Sequence, residues 1–272
     1  MITEQTTTEH TRTHIKLCGM FRNEDIEAVF QVRPDLCGFI VDFPRSHRSV
    51  THQQLIEFCQ KLDDMENKAN EELSKRVRRV GVFVDESLEK VAYLAKAAAL
   101  DAIQLHGSED DFYIAELRNR IIGADLAVKS KRAPFIIQAF RIRQESDVQH
   151  AVMSTADLIL LDNGQGSGST FDWTLVKNVN RPFILAGGLN PNNVAAAVRE
   201  VQPWGIDMSS GIETNHLKDR NKMRAAIAAV RQADKDRGCI SPSNVSMNDA
   251  NMNTKTIDRS TSSSKKGVAA PT

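Results

Sequence analysis

No run of about 18 apolar residues occurs anywhere in the 272-residue chain, so nothing in it reads as a membrane-spanning helix. Net charge is missing too: Lys plus Arg and Asp plus Glu each count 35, for a formal charge of zero. That balance excludes a nucleic-acid or membrane-surface partner recruited by bulk charge and leaves room for a local anion site. Cysteine is scarce. Cys18, Cys37, Cys59 and Cys239 form no CxxC pair and no metal-ligand spacing, which argues against a metal site or a disulfide framework. The polar N-terminus, MITEQTTTEHTRTH, lacks the apolar stretch of a secretory signal. Together these absences predict a reduced, cytoplasmic protein.

Apolar periodicity is also absent from both ends. Residues 1–13 are Thr-rich, and residues 239–272 are rich in Ser, Asn, Thr and Lys. Segments of that kind bury too little apolar surface to offset their ordering entropy, so both are expected to be disordered tails. The folded domain is expected at 14–238.

Inside that span, short apolar runs alternate with longer amphipathic ones. Candidate strands are HIKLC (14–18), LCGFIV (36–41), VRRVGVFV (77–84), DAIQLH (101–106), PFIIQAFRI (134–142), ADLILLD (156–162), RPFILAG (181–187) and WGIDMS (204–209). They are too short for helices and rich in Ile, Val, Leu and Phe, as suits buried parallel strands. Helical patterns such as NEDIEAVFQV, SLEKVAYLAKAAA and NPNNVAAAVREV lie between them. Asn23, Ser87, Ser108 and Asn190 are candidate caps, and residues 51–76 read as one charged helix or a helix with a loop insertion. Eight strand–helix repeats predict an α/β fold, a single (β/α)8 TIM barrel. A doubly wound open sheet is the alternative, but its usual GxGxxG turn is replaced by CGMFRNED after the first strand.

In such a barrel, functional side chains project from the C-terminal strand ends. The rim then holds Cys18, the loop with Arg48, Gln104, His106, Asp162, Gly187, Gly188, Asp207, Ser209, Ser210 and Gly211. Taken singly, Cys18 is more often a core cysteine, Asp162 a turn or cap, His106 a satisfied structural histidine and each glycine an ordinary turn. The small-residue loops AGGLNP and MSSGIE, with GQGSGST before them, are suited to a phosphate held by main-chain N–H groups.

In order along the chain, KLCGM, GFIVDFPRSHR, VGVFV, IQLHG, LLD with GSGSTFDW, ILAGGLNPNNV and GIDMSSGIE resemble the motifs of phosphoribosylanthranilate isomerases. The resemblance runs from about residue 14 to about residue 230. It implies an aldose–ketose isomerase of tryptophan biosynthesis, acting on a small phosphosugar by Amadori rearrangement with no metal or organic cofactor. By the same resemblance Cys18 is the base, Asp162 the acid and Arg48 the residue that orients the substrate, with Gln104, His106 and Asp207 as further contacts. A base at neutral pH demands that the thiolate of Cys18 be stabilised, since a free thiol titrates near 8.5. An acid demands that Asp162 be held partly protonated. Trp173 is expected to pack helix against barrel, with Asp172 or Thr170 as cap.

The chain departs from the family pattern at Gln165, at Ser169 and at Asn215–Leu217, where a Pro-Gly is usual. A histidine-pathway isomerase of related chemistry would carry aspartates at the first and fifth strand ends. Here those ends are Cys18 and Phe140–Ile142. A silent phosphate-binding barrel would keep the glycine loops and lose the acid and base, both of which are present.

Overall fold

In a computed structural model, the structure describes residues 12–72, 75–125, 133–162 and 172–238. The terminal segments, except Arg12 and Thr13, and the GQGSGST loop lie outside the described residues.

Eight parallel strands form the centre: β1 (His14–Cys18), β2 (Leu36–Val41), β3 (Arg78–Phe83), β4 (Ala102–Leu105), β5 (Phe135–Arg141), β6 (Leu158–Asp162), β7 (Phe183–Leu185) and β8 (Gly205–Met208). Each pairs with its neighbour in chain order, and β1 pairs with both β2 and β8, which closes the sheet into the expected barrel. The helices are α1 (Asn23–Val32), α2 (His52–Lys68), α3 (Leu88–Ala97), α4 (Asp111–Asp125), α5 (Glu145–Val152), α6 (Val194–Val201) and α7 (Arg220–Gly238). After β6 the described helical piece is a single 3-10 turn, Trp173–Val176, capped by Asp172, whose carboxylate accepts from Thr174 N–H. Trp173 packs half-buried on the core as expected.

The period-2 alternation of the strands splits the apolar residues into two cores. Outward side chains such as Ile15, Leu17, Phe39, Phe83, Ile103, Leu161 and Ile206 meet the helices. Inward ones, Leu36, Val80, Ala102, Ile137, Leu158, Leu160, Ile184 and Ala186, fill the barrel. Below them His14 and Trp204 stack at 4.0 Å between ring centroids. The inward positions higher on the same strands are polar: Lys16, Gln104 and Asp207 are buried or nearly so.

The caps differ from expectation. Arg22, not Asn23, precedes α1, and the buried Asp25 carboxylate accepts the N–H groups of Phe21 and Arg22. Asp110, not Ser108, caps α4 by accepting from Tyr113 N–H, while Ser108 bonds Asp85. Asn193 stands at the N-cap of α6, and Asn190 turns the chain one step earlier through Asn192 N–H. At α4 and α6 more than one capping type stands close before the helix, and the one nearest the first turn takes the cap position; at α1 the cap residue has no capping side chain and the Asp25 carboxylate reaches back from the first turn. Ser87 does hold the N-cap position of α3, although its hydroxyl makes no cap bond. Within residues 51–76, helix α2 spans His52–Lys68, and the charged pattern beyond it is not part of that helix among the described residues. Thr13 is buried and bonded to Asp234, and Arg12 pairs with Asp35, so order extends to the first described residues.

Candidate active site

β1 carries the first two groups of the site. Lys16 and Cys18 are two residues apart, so both point inward, one above the other. Cys18 is 5% exposed, and a Cβ at the neighbouring Gly38 would stand 2.7 Å from its sulfur. Gly38 therefore makes the space that the thiol occupies. The ammonium of Lys16, buried in the same space, donates to Asp207 at 3.0 Å on adjacent β8. Burial alone would lower the Lys16 pKa, but the charges of Asp207 and Cys18 outweigh it and hold Lys16 protonated. At Cys18 the balance runs the other way: burial pushes the thiol up, and Lys16, with a smaller pull from Lys218, brings it only part of the way back. The expected thiolate-stabilising cation is present, but desolvation is the larger effect.

Arg48 lies in the loop after β2. Its Nε and Nη2 donate to the two oxygens of Glu213 at 2.6 and 2.8 Å, a bidentate pair. Lys218, whose side chain is fully buried, donates to the same Glu213 at 2.6 Å and to Ser209 O and Oγ at 3.0 and 3.3 Å. Burial opposes ionisation of Glu213, yet Arg48 and Lys218 outweigh it and bring its pKa down to about 2. Glu213 and Lys218 face each other across a short antiparallel hairpin, residues 213–214 against 217–218. Its two-residue turn is Asn215–His216, with φ of 52° and 61°. These values suit a primed turn, which is how this chain closes the loop without the usual Pro-Gly. The imidazoles of His47 and His216 flank Glu213, but both of its oxygens already accept from Arg48, so this His–Glu–His trio is engaged by cations.

The loop after β7 opens with Gly187 and Gly188 at φ of 90° and 67°, a conformation that favours glycine at both positions. Asn190 and Asn193 both donate to the Gly188 carbonyl and hold it back, while the Gly187 and Gly188 amides donate no hydrogen bond among the described residues. After β8 come Ser209, Ser210 and Gly211, all half-buried. A Cβ at Gly211 would meet Leu189 O at 2.0 Å, so this glycine lets the two loops touch. Neither loop contains a lysine, and Lys218 reaches Ser209 from the hairpin.

Across the mouth, β6 ends in Asp162, while Gln104 is the last inward residue of β4 and His106 lies just beyond it. Gln104 Nε2 and His106 Nδ1 lie 2.8 Å apart, with Gln104 Oε1 buried and unpartnered among the described residues. His106 is exposed and lies within electrostatic range of Asp162, Lys16 and Asp207. The structure thus gathers Cys18, Asp207, Arg48, Ser209, Gln104, His106 and Asp162 at one rim. Lys16, Glu213 and Lys218 join them and were not singled out from sequence as site residues; the inward alternation of Lys16 with Cys18 was the available signal.

The family model described as N-(5'phosphoribosyl)anthranilate (PRA) isomerase matches residues 44–229. An N-(5'-phosphoribosyl)anthranilate isomerase of Acetivibrio thermocellus is 37% identical over 230 residues, 82% of this chain and 97% of the relative. One from Endomicrobium trichonymphae is 35% identical over 222 residues, 80% and 98% of the two chains. Among solved structures, phosphoribosyl anthranilate isomerase of Thermotoga maritima superposes with a TM-score of 0.65 at 31% identity, covering 81% of this chain and 99% of its own. A phosphoribosyl anthranilate isomerase in complex with reduced 1-(o-carboxyphenylamino)-1-deoxyribulose 5-phosphate gives a TM-score of 0.63, also at 31% identity and the same coverage.

Proposed function

The chain belongs to the N-(5'-phosphoribosyl)anthranilate isomerase family, and on that footing we propose that Cys18 and Asp162 are the base and acid of its reaction. The reaction is the Amadori rearrangement of N-(5-phosphoribosyl)anthranilate to 1-(2-carboxyphenylamino)-1-deoxyribulose 5-phosphate in tryptophan biosynthesis. The observation that carries the assignment is the pairing of a buried thiol beside an ammonium on β1 with a carboxyl group on β6, at the same rim of the barrel.

Asp162 donates a proton to the furanose ring oxygen as the anilino nitrogen pushes its lone pair toward the first sugar carbon. The carbon–oxygen bond breaks and a protonated imine forms. The thiolate of Cys18 then removes the proton from the second carbon, and the electron pair neutralises the nitrogen to give an enolamine. Tautomerisation of the enolamine yields the ketone. A thiol pushed up by burial is a stronger base when ionised, though a scarcer one, and Lys16 offsets part of that cost.

Arg48 takes the anthranilate carboxylate, for which a planar fork of donors is suited. The Gly187 and Gly188 amides, with Ser209, Ser210 and Gly211, take the phosphate. Asp207 acts through Lys16. Gln104 and His106 contact the sugar, where Gln104 Oε1, unpartnered among the described residues, accepts from a hydroxyl. Catalysis occurs in the cytoplasm.

Purified protein should consume the fluorescent substrate in a steady-state assay, and absence of turnover would remove the reading. Asp162→Asn keeps the shape and loses the transferable proton. Turnover should fall by about 10²–10⁴-fold while the reduced product analogue still binds. Equal loss of binding would make Asp162 a positioning residue.

A further inference from the structure

We propose that Glu213 is a positioning residue for substrate: it holds one edge of the Arg48 guanidinium and so aims the other at the anthranilate carboxylate. The inference rests on the reading of Arg48 as the carboxylate's partner. A guanidinium offers its five N–H donors along two usable edges, one made by Nε with Nη2 and one by the two Nη atoms. Glu213 occupies the first edge with two bonds, at 2.6 and 2.8 Å. Nη1 makes no hydrogen bond among the described residues. The second edge is therefore open while the plane of the group is already set.

The stem is held as well. Gly19, directly after Cys18, has φ of 76°, and a Cβ there would stand 2.7 Å from Arg48 Cδ. The absent side chain lets Arg48 lie beside the proposed base. The backbone N–H of Arg48 donates to Ser46 Oγ at 3.2 Å, which fixes the loop that carries it.

Charge would be a difficulty with two members alone, because Glu213 would cancel Arg48 and leave little attraction for an anion. Lys218 resolves it. Its ammonium bonds the same carboxylate at 2.6 Å, so the trio keeps one net positive charge beside the mouth. Its remaining bonds, to Ser209 O and Oγ, tie the trio to the loop after β8. Glu213 itself is no proton carrier at neutral pH, since its pKa is brought down to about 2. Its role is to pre-order a long, rotamer-rich side chain before substrate arrives, which removes an ordering cost from binding.

The test compares two ligands: reduced 1-(o-carboxyphenylamino)-1-deoxyribulose 5-phosphate and its phenylamino counterpart lacking the carboxylate. The ratio of their dissociation constants measures what the carboxylate contributes. Glu213→Gln should reduce that ratio about 10-fold and raise KM by a similar factor, with a smaller fall in kcat. Arg48→Ala should abolish the ratio. If Arg48→Ala leaves it intact, Arg48 is not the carboxylate's partner and the underlying reading falls. If Arg48→Ala abolishes it and Glu213→Gln does not change it, the positioning role alone falls. Arg48→Lys serves where Glu213→Gln does not fold, because it keeps the charge and has a single point of donation. It should lose the ratio nearly as fully as Arg48→Ala, and a wild-type ratio in Arg48→Lys would overturn the two-edge argument.

Discussion

Two clusters of buried charge sit at opposite ends of this barrel. At the lower end Arg79, at the start of β3, donates to Asp63, to Glu66 at 2.7 Å and to Val77 O at 2.9 Å; Glu66, wholly buried, also accepts Val77 N–H at 2.8 Å. Arg79 Nε is sealed from solvent without a partner among the described residues. At the upper end Arg48, Glu213 and Lys218 make bonds of similar length, but Arg48 keeps an edge turned outward and the trio adjoins a buried thiol. The lower cluster is closed on itself and ties α2 to β3. The upper one is open toward the rim. Burial of charge is therefore not what separates the two clusters; the separation lies in which end of the strands each occupies and in whether the spare donor is sealed, as Arg79 Nε is, or turned outward, as Arg48 Nη1 is.

The sharpest way to test this division is at the thiol. Cys18→Ser changes one atom and should lower turnover by about 10²–10⁴-fold with the melting temperature unchanged. Near-normal turnover would take Cys18 out of the mechanism and dissolve the contrast. Next in size is the lower cluster. Glu66→Gln leaves the Arg79 charge underpaired in the interior and should cost about 3–5 kcal/mol of stability, read by denaturant titration, while kcat of the folded fraction stays at the wild-type level. A fall in kcat without loss of stability would show that the lower cluster also works for catalysis.

Lys16→Met removes the cation that partly offsets burial at Cys18. The rising limb of the pH–rate profile should move to higher pH, and a limb that stays in place would separate Lys16 from the base. The smallest effect belongs to acid. Glu213 is held at about 2, below the free value near 4.3, so its contribution to stability is fully present above the free value and is lost as pH falls through about 2. Acid unfolding of Glu213→Gln should therefore lose part of its steepness between those limits, and an identical curve would mean that the trio adds nothing to stability.

Much of the fold was legible in the sequence because its signals are local. HIKLC and LCGFIV are bounded apolar runs, and the observed β1 and β2 match them residue for residue. Helix α1 likewise coincides with NEDIEAVFQV, whose Ile26 and Val29 recur at helical spacing and are buried. The caps were harder, since Asn23, Asp25, Ser108 and Asp110 all have capping chemistry and only backbone geometry chooses between them. The site divides in the same way. Rim positions such as Cys18, Arg48 and Asp162 follow from strand ends and motif resemblance. Their partners do not: Lys16 meets Asp207 across 191 residues, and Arg48 meets Glu213 across 165. Periodicity carries no information on such pairs, and only closure of the sheet brings them together.

That closure bears on how the protein comes into being. β1 is among the first described segments made, and its second neighbour, β8, is among the last. At roughly 5–20 residues per second, the ribosome needs roughly 10–40 s to travel from Lys16 to Asp207. Through that interval the ammonium of Lys16 has no Asp207 to meet, and Arg48 waits somewhat less, across 165 residues, for Glu213. A nascent chain lacking β8 and its hairpin holds the proposed base and acid in sequence but has no site, so the site can assemble only after the hairpin has left the ribosome.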